Sequence, residues 1–372
     1  MQPSEYRVIR NNYNHLILSI QITMSNKRIF YFDLLNIAAC FAVICLHHNG
    51  IVHEYSNSSV WKQSLVVEVL FFWAVPIFLM LSGANLMQYR TRYSTVEFLK
   101  KRIKKVLIPW LFWSIVMLAY KQINGEYQLS RISIKEIMNA ILNCKIENVY
   151  WFFPVIISVY LFMPFLSMLT APKYRKVLWY IVICSIVLNA TMPLLCTLVG
   201  IEWNTNISIP VNGYTIFAIL GYLLSTEEIN KKNRIIIYAG GIASLIVRYS
   251  GIYILSTRDG EKNPLFFNYI HIYSYALACA VFVLFKYMKW EKIMESCSEK
   301  KKNYKDIAAY ISGASLGIYL THRLVMSIEL NILRIDRSVL FWRIGFPFVT
   351  YLVCLMIVLT LKKIPVFKHI VP

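Results

Sequence analysis

Charged side chains are scarce in this chain, 16% of 372 residues against 58% apolar, and the mean hydropathy is +0.52. A soluble domain carries roughly 25% charge, so a soluble globular fold is excluded. Acidic residues are scarcer still, 19 against 39 Lys and Arg, which leaves a net charge of +20. A nucleic-acid surface would gather that excess on one folded face. Here it falls between apolar runs, as in cytoplasmic membrane loops, and no nucleic-acid partner is expected. The sequence also lacks a CxxC pair, an HExxH motif and any Cys/His cluster at zinc spacing, so no metal is expected. Cys40, Cys45, Cys184, Cys196, Cys279 and Cys354 lie inside apolar runs and read as small core residues. With only Cys144 in a loop placed outside, no disulfide framework is implied. No internal repeat is visible, which removes the symmetry support for an inverted-repeat transporter.

What the chain does have is long apolar runs. A bilayer core takes roughly 17 to 25 apolar residues per tilted helix. Ten runs are candidates: Ile29 to His48, Leu65 to Met87, Val106 to Tyr120, Val149 to Leu169, Val177 to Val199, Gly213 to Ser225, Ile235 to Leu255, Phe266 to Tyr287, Ile307 to Leu330 and Val339 to Leu361. The expectation is an all-α polytopic membrane protein with about ten transmembrane helices, of which the third and sixth are short. Most Lys and Arg fall in alternate loops on the side of the two termini, which makes that side cytoplasmic by the positive-inside rule. The expected location is the cell (plasma or inner) membrane, with the lipid bilayer as partner; a homo-oligomer is compatible with the sequence. The stretch His15 to Met24 is too short to span and has no small-residue cleavage site after it. Met24, followed by Ser25-Asn26-Lys27-Arg28, reads as an alternative start. The division expected is a cytoplasmic extension at 1–26, a membrane domain at 27–362 and a cytoplasmic tail at 363–372.

A titratable side chain inside a bilayer is costly and faces a bundle interior or a water-filled cavity. In this topology His47 and His48 fall at the outer end of the first helix and Glu68 near the outer start of the second. His271, His322 and Arg323 share the outer half, and Trp151 opens the fourth helix at similar depth. Asp33, Asn36, Cys40 and His47 form one stripe, because Asn36 and His47 are eleven residues, about three turns, apart. That face should point into the bundle. On the inner side, Lys100-Lys101-Arg102-Ile103-Lys104-Lys105 runs into Val106-Leu107-Ile108-Pro109-Trp110. It serves either as an ordinary positive-inside anchor or as a phosphate site for a nucleotide-like donor. Gly313-Ala314-Ser315-Leu316-Gly317 matches GxSxG, but a nucleophile elbow needs a strand before its turn and this one opens a membrane helix. Gly83, Gly213, Gly221 and Gly317 read as points of close helix packing.

The string Tyr31-Phe32-Asp33-Leu34-Leu35-Asn36-Ile37-Ala38-Ala39-Cys40-Phe41, followed by His47-His48, resembles the opening helix of the acyltransferase-3 family of membrane acyltransferases. Further matches follow in order: Val75-Pro76-Ile77-Phe78 through Leu81-Ser82-Gly83, then Lys101-Arg102-Ile103-Lys104-Lys105 before Ile108-Pro109. Trp151-Phe152 with Tyr160 and Pro164, Gly213-Tyr214 with Gly221-Tyr222, and Ser315-Leu316-Gly317-Ile318-Tyr319-Leu320 with His322 complete the set. The resemblance covers about residues 27 to 362. Two departures stand out. Asn36 occupies the position of the family's arginine, and Asn148-Val149-Tyr150 replaces a histidine often found before the Trp-Phe pair.

The resemblance implies transfer of an acyl group, usually acetyl, from a cytoplasmic acyl-CoA such as acetyl-CoA to a hydroxyl of an extracytoplasmic or lipid-linked glycan. His47 would be the general base, a role suited to imidazole at neutral pH, with Glu68 orienting it. Arg102, Lys104, Lys105 and Asn36 would hold the donor. His48, Tyr150, Trp151, His271, His322 and Arg323 would meet the glycan acceptor. The competing reading is a polysaccharide exporter, which needs helices and buried charges but makes no covalent change. A membrane sensor or anchor is a third class, disfavoured by short cytoplasmic loops.

Overall fold

The structure, a computed structural model, describes residues 28–128, 132–211, 213–297 and 304–372. The expected extension 1–26, its alternative start at Met24 and the loop charges Arg131, Lys300, Lys301 and Lys302 lie outside the described residues. Among the described residues there is no strand. The α-helices are α1 (Phe30–His48), α2 (Ser59–Phe71), α3 (Ala74–Leu86), α4 (Thr95–Arg102), α5 (Ile108–Ile123), α6 (Ile134–Leu142), α7 (Phe152–Met168), α8 (Arg175–Cys184), α9 (Met192–Leu198), α10 (Gly213–Thr226), α11 (Lys231–Asp259), α12 (Ile272–Tyr287), α13 (Trp290–Cys297), α14 (Tyr304–Ser312), α15 (Ser315–Leu333) and α16 (Phe346–Lys363).

Each of the ten expected spans coincides with one helix or one pair of helices, and eight segments are long and apolar enough to cross a membrane. The two that fall short do so for different reasons. Helix α10 is short, yet every residue from Thr215 to Leu224 is buried, so it is wrapped by other helices on all sides and needs no lipid-facing stripe. Helices α14 and α15 form one span broken at Gly313-Ala314 and carry His322, Arg323 and Glu329. The third span is longer than expected, because the basic cluster is itself helical: α4 continues through a π-helical turn, Ile103–Leu107, into α5. That turn sits where Pro109 removes a backbone donor and would otherwise break an α-helical ladder.

Helix α1 packs against α2, α3, α12, α14, α15 and α16, which makes it the hub of the bundle. The tightest crossing is between α3 and α10. A Cβ on Gly83 would stand 1.8 Å from the carbonyl oxygen of Ala218, and one on Gly221 would stand 2.0 Å from that of Met80. Only glycine lets these two backbones touch, as membrane helices do when small residues replace a hydrophobic driving force. Ile235, Ile242, Ile246 and Ile254 of α11 and Leu352 and Met356 of α16 form part of an exposed apolar exterior suited to lipid.

The break between α14 and α15 frees carbonyls that a membrane interior leaves no water to satisfy. Two polar side chains meet freed carbonyls, those of Ser312 and Gly313, and two more tie the flanking turns to the bundle. Arg28 donates to Ala309 O (2.6 Å), Asn36 to Ser312 O (2.9 Å) and Lys362 to Gly313 O (2.6 Å), while the Cys40 thiol approaches Ser315 O at 3.6 Å. Three of these, Arg28, Asn36 and Cys40, come from α1 or its lead-in. The polar stripe of the first helix thus points into the bundle and caps a broken helix.

Candidate active site

A cavity of about 1500 Å³ opens at the end of the bundle where Arg28, Arg92 and Arg102 gather. Its walls come from α1 (Phe32, Asp33, Asn36), α3 (Phe78, Leu81, Ser82, Asn85), α7 (Phe152, Ile156, Tyr160) and α15 (Ser315, Leu316, Tyr319). Arg28 and Asp33 form a bidentate pair at 2.8 to 3.0 Å, and Arg92 donates to the Asn85 carbonyl. Arg102 lies over the rings of Phe98 and Tyr160 at 5.6 and 5.5 Å, and its Nε has no hydrogen-bond partner among the described residues. Of the basic residues proposed for the donor, Arg102 therefore faces the cavity. Lys104 and Lys105 are exposed and do not line it. Asn36 does line it, but its amide is committed to Ser312 O and Oγ at 2.9 and 3.0 Å.

The cavity ends on three mutually touching rings. Phe78 lies 6.0 Å from Phe152 and 6.4 Å from Tyr319, and Phe152 lies 5.5 Å from Tyr319. Beyond Tyr319 stand the histidines: its ring centroid is 5.5 Å from that of His322, and His322 is 5.1 Å from His47 with ring planes 26° apart. His47 is absent from the cavity wall. Between the basic mouth and His47 thus stands one layer of aromatic side chains.

His322 is fully buried on α15, and its Nδ1 is 2.6 Å from Tyr319 O. Around it, α15 is riveted to the start of α7. Tyr319 donates to Val149 O (2.6 Å), Tyr150 donates to Leu320 O (2.8 Å), and Arg323 reaches the buried carboxylate of Glu147 at 3.4 Å. Tyr150 and Arg323 are thereby placed beside the histidine pair, engaged with protein partners. Trp151 is half-buried and stacks on Tyr269 at 5.4 Å and 27°.

The remaining candidates lie elsewhere. His48 turns away from its neighbour: its Nε2 meets Thr350 Oγ1 at 2.9 Å, and that hydroxyl donates to Glu329 at 2.6 Å. The Glu68 carboxylate is 3.2 Å from Arg248, which is wholly buried, lies 3.3 Å over Phe72 and also donates to Phe266 O. In the flanking loops, burial pushes His53 and Lys262 toward their neutral forms against the pull of the Glu68 charge. His271 accepts from Asn268 at 3.1 Å and borders a separate pocket of about 290 Å³ with Pro193 and Thr197.

Sequence reasoning missed Phe78 and Phe152 as cavity walls, Tyr319 as the ring between cavity and histidines, and Arg248 as the partner of Glu68. Tyr319 had a local signal, since residues three apart share a helix face and Tyr319 precedes His322 by three. Arg248 had one too, as the lone basic residue deep inside an apolar run. Among the described residues no group of His, Cys, Asp and Glu is arranged to hold a metal ion.

No curated protein and no solved structure matches the chain. A family model described as an acyltransferase domain matches residues 29–361, which runs from the first turn of α1 to the last of α16 and takes in the cavity, the ring layer and both histidines. With nearly its whole length matched, the chain belongs to the acyltransferase-3 family and is a membrane acyltransferase.

Proposed function

We propose that the protein moves an acyl group, acetyl in the simplest case, from a cytoplasmic acyl-CoA to a hydroxyl of an extracytoplasmic or lipid-linked glycan. The observation that carries this reading is the cavity: it is wide and cationic at the basic end and stops one ring short of a pair of imidazoles. A nucleotide diphosphate fits the arginine-lined mouth, where guanidinium groups bind phosphate oxygens in pairs. The narrow pantetheine arm then lies along α1 and α15 and brings the thioester to the rings. Displacement of Phe78, which is held by ring contacts alone, admits the thioester carbon to His47.

There the hydroxyl oxygen attacks the thioester carbon, the new C–O bond forms and the C–S bond breaks. His47 takes the hydroxyl proton and returns it to the departing sulfur, so the products are ester and free thiol with no net proton change. Trp151, half-buried and stacked on Tyr269, offers its other face to a sugar ring.

The exporter reading predicts flux without covalent change, and the two separate cleanly. Mass spectrometry of envelope glycans made with and without the protein is expected to differ by one acyl unit, 42 mass units (~42) for acetyl, on a hydroxyl. Glycans identical in mass but lost from the outer surface would overturn the reading in favour of export.

A further inference from the structure

We propose that His322 positions His47: its Nε2 lone pair is the acceptor onto which the N–H of the His47 ring docks while His47 exchanges the hydroxyl proton. The inference rests on the acyl-transfer reading for its purpose, but on geometry alone for its substance.

A carbonyl only accepts, so the 2.6 Å contact between Tyr319 O and His322 Nδ1 fixes the proton on Nδ1. In the neutral ring the other nitrogen, Nε2, is then a bare acceptor. It is buried and without a partner among the described residues. Packed interiors rarely leave such a group unsatisfied, and one that persists calls for an explanation. The ring stacked beside that of His322 is His47, at 5.1 Å between centroids and 26° between planes. Two imidazoles joined edge to edge by an N–H···N bond of about 3 Å have centroids about 5 Å apart. The centroid separation fits such a bond, and the proposal is that the stacked His47 ring turns about its soft last torsion to make it.

The two histidines also differ in freedom. His322 is held by its own bond and by the rivets on both sides, Tyr319 to Val149 O and Tyr150 to Leu320 O. His47 has no hydrogen bond to either ring nitrogen among the described residues and keeps some accessible surface. A rigid acceptor beside a turning base is the arrangement in which a third group orients a general base. Glu68 was the sequence candidate for that task, and its carboxylate is engaged by Arg248. When His47 becomes imidazolium its new N–H faces the reacting groups, while the N–H docked on His322 Nε2 becomes a charge-assisted and stronger bond that keeps the ring turned. No proton is transferred to His322; the proton stays on His47 until the thiolate sulfur takes it.

The test uses two substitutions and two readouts. His322→Asn keeps an amide donor near the Tyr319 carbonyl but has nothing at the Nε2 position; His322→Gln puts an amide there. In native membranes, transfer of radiolabelled acetyl from acetyl-CoA to membrane glycan is expected to fall about 100-fold in kcat for His322→Asn, with the donor KM unchanged, and to recover at least tenfold in His322→Gln. Independently of activity, nitrogen-15 histidine NMR of the solubilised protein is expected to show one pH-insensitive ring protonated on Nδ1, assigned as His322, and a His47 signal that shifts in His322→Asn. Equal kcat in all three proteins, or an Nε2-protonated His322 in the unaltered protein, would overturn the proposal. If no acetyl transfer is found even in the unaltered protein, the functional reading fails, while the NMR result still decides whether the two rings are coupled.

Discussion

The two ends of the site treat polar groups in opposite ways. At the basic end the cavity is wide and half-open, and Arg102 is held only by ring faces, with its Nε unpartnered. At the histidine end Tyr319, Tyr150 and Arg323 are tied to the residues that open α7, and farther off His48 binds Thr350 and Arg248 is fixed by Glu68 and Phe266. On the proposed function the difference is one of purpose. A large anion is retained by charge and tolerates a loose fit, whereas proton transfer needs donor and acceptor held within a fraction of an ångström. In that reading, loose cationic space lies where the donor enters and tied packing lies where geometry must not drift.

The comparison breaks first at His47. Removing the base by His47→Ala is expected to lower kcat by roughly a hundred- to ten-thousand-fold, with the solubilised protein melting as before. Acetyl transfer to membrane glycan measured alongside thermal unfolding checks both halves. Undiminished kcat would mean that the histidine end is structural only. Glu68→Ala should do the reverse. It strands the fully buried Arg248 without a counter-charge, which costs about 3–5 kcal/mol, and it loosens the stack of Arg248 on Phe72 and of Phe72 on Tyr269, whose rings are 4.0 Å apart. The expected result is a large loss of folded protein, read by size-exclusion chromatography, and an unchanged kcat per folded molecule. A well-folded variant with poor turnover would restore Glu68 to the chemistry.

At the cationic end, Arg102→Ala removes from the cavity wall a guanidinium whose Nε has no hydrogen-bond partner among the described residues. A hydrogen bond to a charged group contributes roughly 1.5–3 kcal/mol, so the donor KM is expected to rise about 10- to 100-fold while kcat for bound donor stays within about threefold. Binding of acetyl-CoA by isothermal titration checks the same quantity without turnover. An unchanged KM would return Arg102 to the role of topological anchor.

The helical frame was legible because apolar run length and loop charge are additive properties, and a bilayer reads them residue by residue. The inward polar stripe of α1 was legible for the same reason, since helical spacing alone puts Asp33, Asn36 and Cys40 on one face. What the sequence concealed was pairing across helices. Glu68 and Arg248 are 180 positions apart, and nothing local in either says which buried charge will meet it. The ring layer was hidden for a different reason: Phe78, Phe152 and Tyr319 are ordinary apolar residues in ordinary apolar runs, and only the crossing of α3, α7 and α15 makes them a partition. Asn36 shows a third case. At a position where the family resemblance leads one to expect arginine, it satisfies the broken end of α14, a need that appears only once the break is seen.

The smallest effect should come from the two lysines that share the basic cluster with Arg102. By sequence, Arg102, Lys104 and Lys105 are equivalent members of one run, and a purely electrostatic mouth would use all three. The π-helical turn at Ile103–Leu107 separates them: Arg102 is turned toward Phe98, Tyr160 and the cavity, while Lys104 and Lys105 face outward. Their influence on a bound diphosphate is therefore expected to pass through solvent, where salt screens it. The double variant Lys104→Ala, Lys105→Ala is expected to change the donor KM by less than about twofold in 0.15 M salt (~0.15 M), and by more as salt is lowered. A loss in physiological salt as large as that of Arg102→Ala would show that the mouth recognises the donor by total charge, and the contrast between a shaped cationic wall and a surface anchor would disappear.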